Sequence, residues 1–149
     1  MRVYRIQAID GRGPFRPGLS KHWCDYGHIP PHKPIQEEFG SDWLNECKPG
    51  WMYGSACLSL EQLATWFSRK ERETLQIMGY HPVALEPDVI VRRGMAQLII
   101  GCRKNFAQVA EKLSWNDLMS AERRNRRRDA TAPKPCDSAS TDGTSQVNT

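Results

Sequence analysis

Six prolines fall between positions 14 and 50: Pro14, Pro17, Pro30, Pro31, Pro34 and Pro49. Each fixes its own φ, lacks an N–H and pushes the residue before it out of helical space. No regular element longer than one or two turns is therefore expected across 14–53. The same stretch nevertheless carries Phe15, Trp23, Tyr26, Phe39, Trp43 and Trp51. Disordered segments are poor in aromatics, because they have no core to put them in. Together these facts predict a long ordered loop laid over a core built elsewhere, with a short helix near Glu37–Asn45. Unusually long loops in small domains are commonly where function sits.

The core has to come from the flanking segments. Residues 2–9 alternate polar Arg5 and Gln7 with Tyr4, Ile6 and Ala8, the period-2 pattern of a strand. Asp10-Gly11-Arg12-Gly13-Pro14 is a turn cluster. Ser59 followed by Gln62 has the spacing of a capping box, and Leu60, Leu63, Ala64 and Phe67 share one helical face. Ser68 and Glu71 repeat the box. Leu75 and Met78 extend the apolar face, and Gly79 is a natural C-terminal stop. Residues 59–78 thus read as two short helices or one bent helix.

Residues 80–85 predict a strand, 89–91 a short extended piece and Arg92-Arg93-Gly94 a turn. Residues 95–101 are apolar on both faces except for Gln97, as a central strand would be. Residues 106–119 carry helical spacing, with a fresh cap at Ser114. The architecture predicted from the residues is one α+β domain over 1–121, including the loop 14–53. Residues 122–149 then form a basic helix end and a disordered polar tail, since the chain from Asp129 on has no aromatic.

Composition narrows the setting. A length of 149 residues suits one domain. No apolar run approaches the ~18 residues of a membrane span, so no membrane partner is expected. The five cysteines are odd in number and form no CxxC pair. That fits reduced thiols in a cytoplasm better than a disulfide framework. The net charge of +4 is concentrated in residues 121–128, AERRNRRR, with five arginines and one glutamate. Such a run suits loose contact with nucleic-acid phosphates. It suits equally a helix end where cations complement the dipole.

Several residues invite a chemical reading. Arg5 on the first strand suits phosphate, because the planar guanidinium fork matches it. Its plain alternative is a solvent-facing residue paired with a glutamate. Gln97 must find hydrogen-bond partners in an apolar strand, either by lining a cleft or by clamping a nearby loop backbone. The small residues Gly54, Ser55, Ala56 and Cys57 permit close approach of a ligand. They serve equally as a tight lead-in to a strand or helix. His22, Cys24, His28, His32 and Cys47 are zinc-type side chains. Their spacing matches no standard finger or ribbon, and surface histidines with a buried thiol account for them. The tryptophans, Trp66 and Trp115 among them, are core residues or anchors for a partner protein.

The ordered pieces Tyr4-Arg5-Ile6, Gly11-Arg12-Gly13-Pro14, Ser59–Phe67 and Gln97-Leu98-Ile99-Ile100 resemble those of small phage and prophage proteins. More remotely the layout resembles the ADP-ribosyltransferase fold. The matched pieces span residues 2–102, with the loop 16–53 unmatched. That resemblance implies a small mixed or antiparallel split sheet with a few short helices and an NAD cleft. It places Arg5 on NAD, Ser55 or Ser59 on the second strand of the cleft, and Gln97 near the nicotinamide ribose. The family's glutamate stabilises developing positive charge, whereas an amide mostly orients a hydroxyl. The expectation is thus an NAD-binding protein acting on a host macromolecule in the host cytoplasm, with catalysis weakened or lost. The competing expectation is a non-enzymatic phage protein. It would bind a host protein, or loosely a nucleic acid, through the aromatic loop and the arginine run.

Overall fold

The computed structural model describes residues 1–131. The expected tail from 132 on lies outside them, as does Cys136. The described residues form six strands and five α-helices. In chain order they are β1 (Val3–Gln7), α1 (Ile35–Phe39), β2 (Met52–Ala56), α2 (Leu60–Ala64), α3 (Arg69–Ile77), β3 (His81–Leu85), β4 (Val89–Arg93), β5 (Leu98–Cys102), α4 (Phe106–Val109), β6 (Glu111–Lys112) and α5 (Trp115–Thr131).

The strands make two small sheets, ordered β1-β3-β6 and β2-β5-β4, and every pairing is antiparallel. The sheets touch through one bridge, at Tyr4 and Cys57. There Tyr4 N–H donates to the Cys57 carbonyl at 2.9 Å, and Cys57 N–H donates back at 2.8 Å. One residue further along β1, the sheets are held together by the Arg5 side chain instead of a ladder. The α+β class is as expected, and among the described residues the strands form two small sheets, both antiparallel.

The helix signals in the sequence act where they lie. Ser59 accepts from Gln62 N–H at 3.1 Å and starts α2. The Gln62 side chain does not return to Ser59. It reaches Leu58 N–H and the Met95 carbonyl, tying α2 to the turn before β5. Ser68 and Glu71 close a full capping box on α3, and Ser114 and Asp117 exchange the same pair of bonds at α5. Gly79, at φ +91°, ends α3 in the left-handed region open to glycine.

Two packed regions result. Leu63, Trp66, Phe67 and Leu75 meet Leu118 and Ala121 of α5, with Ile6 and Trp23 closing the cluster. Val3, Val83, Leu98, Ile100 and Phe106 fill the space between the sheets and α4. The helix α5 stays attached past residue 121. Asn125 donates to the Glu61 carbonyl, and Arg124 pairs with the Glu61 carboxylate at 2.6 Å. Residues 129–131, expected in the disordered tail, are the last turn of this helix.

The strand readings needed adjustment. The central strand β5 begins at Leu98 rather than Met95, because Gly94 N–H bonds to the Gln97 carbonyl and makes 94–97 a turn. Arg92 and Arg93 are strand, not turn. They continue β4 past a register shift between Ile90 and Arg92. The loop 14–50 is ordered by short pieces: a 3-10 turn at Ser20–His22, then α1, then another 3-10 turn at Asp42–Glu46. Gly40, at φ +70°, separates the last two, where one helix was expected.

Candidate functional site

Arg5 and Gln7, which alternate onto the polar face of β1, are both buried, at 5% and 1% exposure. The reason is the turn after β1, which folds back with α4 over that face. Arg5 Nε donates to the Ser55 carbonyl across the gap between the sheets at 3.1 Å. Its Nη1 donates to Gln7 Oε1 and to the Gly11 carbonyl, each at 2.7 Å. The guanidinium lies over the Phe106 ring, 4.5 Å from its centroid, in cation–π contact.

Two glycines make room for it. A Cβ at Gly13 would fall 2.9 Å from Arg5 Nη2, and one at Gly54 would fall 3.0 Å from the same atom. The bland reading, an arginine paired with a glutamate, is not what forms. Among the described residues no carboxylate lies within ion-pair distance of Arg5. Burial pushes the guanidinium down to about 10, still far above neutrality. A buried positive charge is therefore solvated by neutral oxygens and a ring alone, and its field is not cancelled locally.

This charge lies at the wall of an open hollow of roughly 240 Å³, lined also by Arg12, Arg16, Tyr53, Ser55 and Phe67. Arg12 has only a loose pairing with Asp10, at 3.9 Å. Arg16 Nη2 donates to the Tyr80 hydroxyl at 3.1 Å, while its Nε is buried without a partner among the described residues. A second hollow, of roughly 570 Å³, adjoins the first and lies under the 14–50 loop. Phe15, Arg16, Ile35 and Ser55 border both. Three arginines, one of them buried with no carboxylate beside it, thus face a cleft whose walls also carry aromatic, aliphatic and small residues. Such a cleft favours a ligand that is anionic at one end and flat and apolar at the other.

Arg5 and Ser55 therefore converge, with the Ser55 carbonyl holding Arg5 and the residue bordering both hollows. Gln97 lines the second hollow, and its amide is already engaged. Gln97 Nε2 donates to the Lys33 carbonyl at 2.6 Å and to Glu38 Oε1 at 2.7 Å, with the residue 2% exposed. Of its two sequence readings, the loop clamp is the one whose bonds are present. Ser59 lies elsewhere: its hydroxyl caps α2, and it borders neither hollow.

The histidines and cysteines go separate ways. His32 stacks on Trp66, with centroids 4.2 Å apart, and burial lowers its ring to about 4. His28 reaches the Trp66 carbonyl at 3.3 Å, and Cys47 the Trp43 carbonyl. Among the described residues no three His, Cys, Asp or Glu side chains come together as a metal set.

Sequence reasoning passed over Phe15, Arg12, Arg16 and Trp43 as site residues. The available signal was the run Gly-Arg-Gly-Pro-Phe-Arg at 11–16. It puts three aromatic or basic side chains on a backbone that glycine and proline bend sharply.

A family model described as the bacteriophage T4 Y00F protein matches residues 1–116. The chain belongs to this phage protein family. The matched span of the Y00F family contains the whole cleft and stops two residues into α5, before the arginine run. No curated protein and no solved structure matches the chain. The remote likeness to ADP-ribosyltransferases is therefore not supported by these comparisons. Among the described residues no helix is long and apolar enough to cross a membrane.

Proposed function

We propose that this Y00F-family protein is a binding protein for a small phosphate-bearing ligand, held in the cleft at the split between its two sheets. One observation carries the reading: the Arg5 guanidinium is buried in that split with no carboxylate beside it. Arg12 and Arg16 add two more cations at the same hollow. An anionic ligand supplies the missing countercharge, and the desolvated site strengthens each charge-assisted bond.

NAD is one ligand of this class, and the charge of Arg5 together with the aromatic walls fits binding it. Transferase chemistry fits less well. The residue that the resemblance assigns to the catalytic carboxylate's place is Gln97, and both of its N–H donors hold the loop. Binding without ADP-ribose transfer is the reading supported best. The arginine run on α5 gives weaker support to nucleic-acid or host-protein contact. Arg124 is tied to Glu61, and Glu122 is shared by Arg72 and Arg126. The loop aromatic Trp23 is turned into the core.

The test is thermal denaturation with pyrophosphate, adenosine 5′-phosphate, ADP-ribose and NAD at millimolar concentration. A ligand that binds only the folded state at ten times its Kd adds about 1.4 kcal/mol. Stabilisation by the phosphate compounds is expected, weaker in high salt. Arg12→Ala is expected to cut that gain while leaving the unliganded melting point within a degree or two, since Arg12 is exposed. The reading fails if no phosphate compound moves the melting point.

A further inference from the structure

The segment Lys48-Pro49-Gly50-Trp51 is a tight turn leading into β2. Trp51 N–H returns to the Lys48 carbonyl at 3.2 Å. Pro49 and Gly50, the latter at φ +83°, hold its two central positions, the pairing that a type II turn favours. The Tyr53 hydroxyl accepts Lys48 N–H at 2.7 Å and braces the turn from the strand. Trp51 and Tyr53 are two residues apart, so they fall on one face of the extended chain. Their rings are near-parallel, 16° between planes, with centroids 6.4 Å apart. Gly101 of β5 stands opposite Tyr53 in the ladder. A Cβ at Gly101 would come within 2.5 Å of the Tyr53 ring, so the ring crosses the sheet there because position 101 has no side chain. Both aromatic residues remain half-buried rather than covered.

Cations gather on this pair. Lys48 Nζ lies 4.8 Å from the Trp51 ring centroid, and the Arg103 guanidinium lies 5.6 Å from it. Lys104 follows Arg103 in the chain, and all three residues are exposed. Among the described residues none of the three has a carboxylate within ion-pair distance. The neighbouring acids are engaged elsewhere: Asp88 accepts from the Arg103 backbone N–H at 2.7 Å, and Glu46 pairs with Arg92. Positioned rings interleaved with unpaired cations suit an unpaired nucleic-acid strand, whose bases offer flat faces and whose phosphates offer charge. A duplex keeps its base faces inside the stack. An acidic peptide would use the cations and leave the rings idle.

We propose that Trp51 and Tyr53, with Lys48, Arg103 and Lys104, form a contact surface for single-stranded nucleic acid, bound by stacking and backbone charge rather than by base sequence. Bases stack on the exposed parts of the two rings, and the cations turn from the Trp51 ring to the phosphates. Exposed cation–π contacts are weak enough to be exchanged in this way. Tyr53 also borders the arginine-lined cleft, so the surface begins at the rim of that cleft. The inference goes beyond the phosphate-binding reading and does not depend on it.

The test is titration of the full chain, followed by tryptophan emission and by anisotropy of a labelled ligand. The ligands are an oligothymidylate of about 12 nucleotides, a duplex of the same length and polyglutamate. The single strand is expected to bind at least about 5-fold tighter than either competitor, the worth of one stacked base, and to quench part of the emission. Trp51→Ala is expected to weaken it by about the same factor. Trp51→Phe keeps a stacking ring, so it is expected to fold, to bind tighter than Trp51→Ala and to lose most of the quench. Arg103→Ala is expected to lower the slope of log affinity against log salt by about 0.7. Arg127→Ala, on the exposed end of α5, is expected to change nothing.

The proposal is overturned if the single strand does not bind, or if duplex or polyglutamate binds as tightly. It is overturned too if Trp51→Phe keeps the whole quench, or if Arg127→Ala weakens binding and Trp51→Ala does not. A parallel titration with pyrophosphate keeps the two readings apart. Binding of the strand without pyrophosphate leaves this surface standing and removes the cleft reading, and the reverse result does the opposite.

Discussion

The loop over 14–50 and the segment 59–102 are held in place by different means. The later segment is organised by backbone ladders and capped helices, with signals a few residues apart. The loop has only one-turn elements of its own and is fastened by single side-chain bonds to the other segment. Glu71 accepts from Asp25 N–H at 2.9 Å, Gln97 holds the Lys33 carbonyl, and His28 meets the Trp66 carbonyl. Going the other way, Trp23 donates to the Pro14 carbonyl within the loop and sinks its ring into the core. The lesson is that a long proline-rich loop stays ordered when a regular scaffold offers it a few buried polar anchors. The second hollow lies between the two regions, so its shape depends on those anchors.

The largest expected break in this division is Glu71→Ala. The carboxylate is 3% exposed and accepts both Ser68 N–H, completing the α3 cap, and Asp25 N–H of the loop. Its removal strands two donors and leaves a cavity, at about 3 kcal/mol. A fall of roughly 10 °C in melting temperature is expected for a domain of this size. A drop of under two degrees would show that the anchor does not hold the loop.

Next is Gln97→Leu, expected to cost about 2 kcal/mol by leaving the Lys33 carbonyl and Glu38 unpartnered. Its signature is regional. Proteolytic cleavage within 28–40 is expected to speed up far more than cleavage within α3. Equal acceleration at both would mean that the loop and scaffold open as one unit.

The smallest effect is pH-dependent and belongs to His32. Its ring is held at about 4 in the folded protein, against an ordinary value near 6.5. Between those values the unfolded chain binds the proton that the folded chain refuses. Stability present above pH 6.5 is therefore lost as the pH falls toward 4. Allowing for the ring's partial exposure, the loss is about 2 kcal/mol. His32→Phe keeps a ring on Trp66 and is expected to be less pH-sensitive by about that amount. Identical pH profiles for the two proteins would refute the assignment.

What was legible in the sequence follows the same division. Ser68 with Glu71, Gly79, and the cap at Ser114 could be read because a cap needs only residues three or four apart. Strand β2 was not legible in its own residues, and only the resemblance put Ser55 on a strand. Gly54 and Ser55 are poor strand formers, and they are extended because Ile100 and Ile99 of β5 lie opposite. Arg5 was left between a cleft-facing and a solvent-facing reading, and the sequence alone did not show that it is buried. Alternation predicts an exposed arginine, and only the return of Gly11 and Phe106 over that face buries it. The second hollow was least legible of all. Phe15, His32 and Trp43 are far apart in sequence, and nothing local says that they share a wall.

The single bridge between the sheets has a consequence for the order of assembly. Strand β5 follows β4 closely, so that hairpin closes over a short loop. Strand β1 pairs with residues 81–85 and bridges to Cys57, so it leaves the ribosome long before its ladder partner exists. The earliest of the described strands is then among the last to be seated. Arg5, carried on it, enters the seam only after both sheets have edges to receive it.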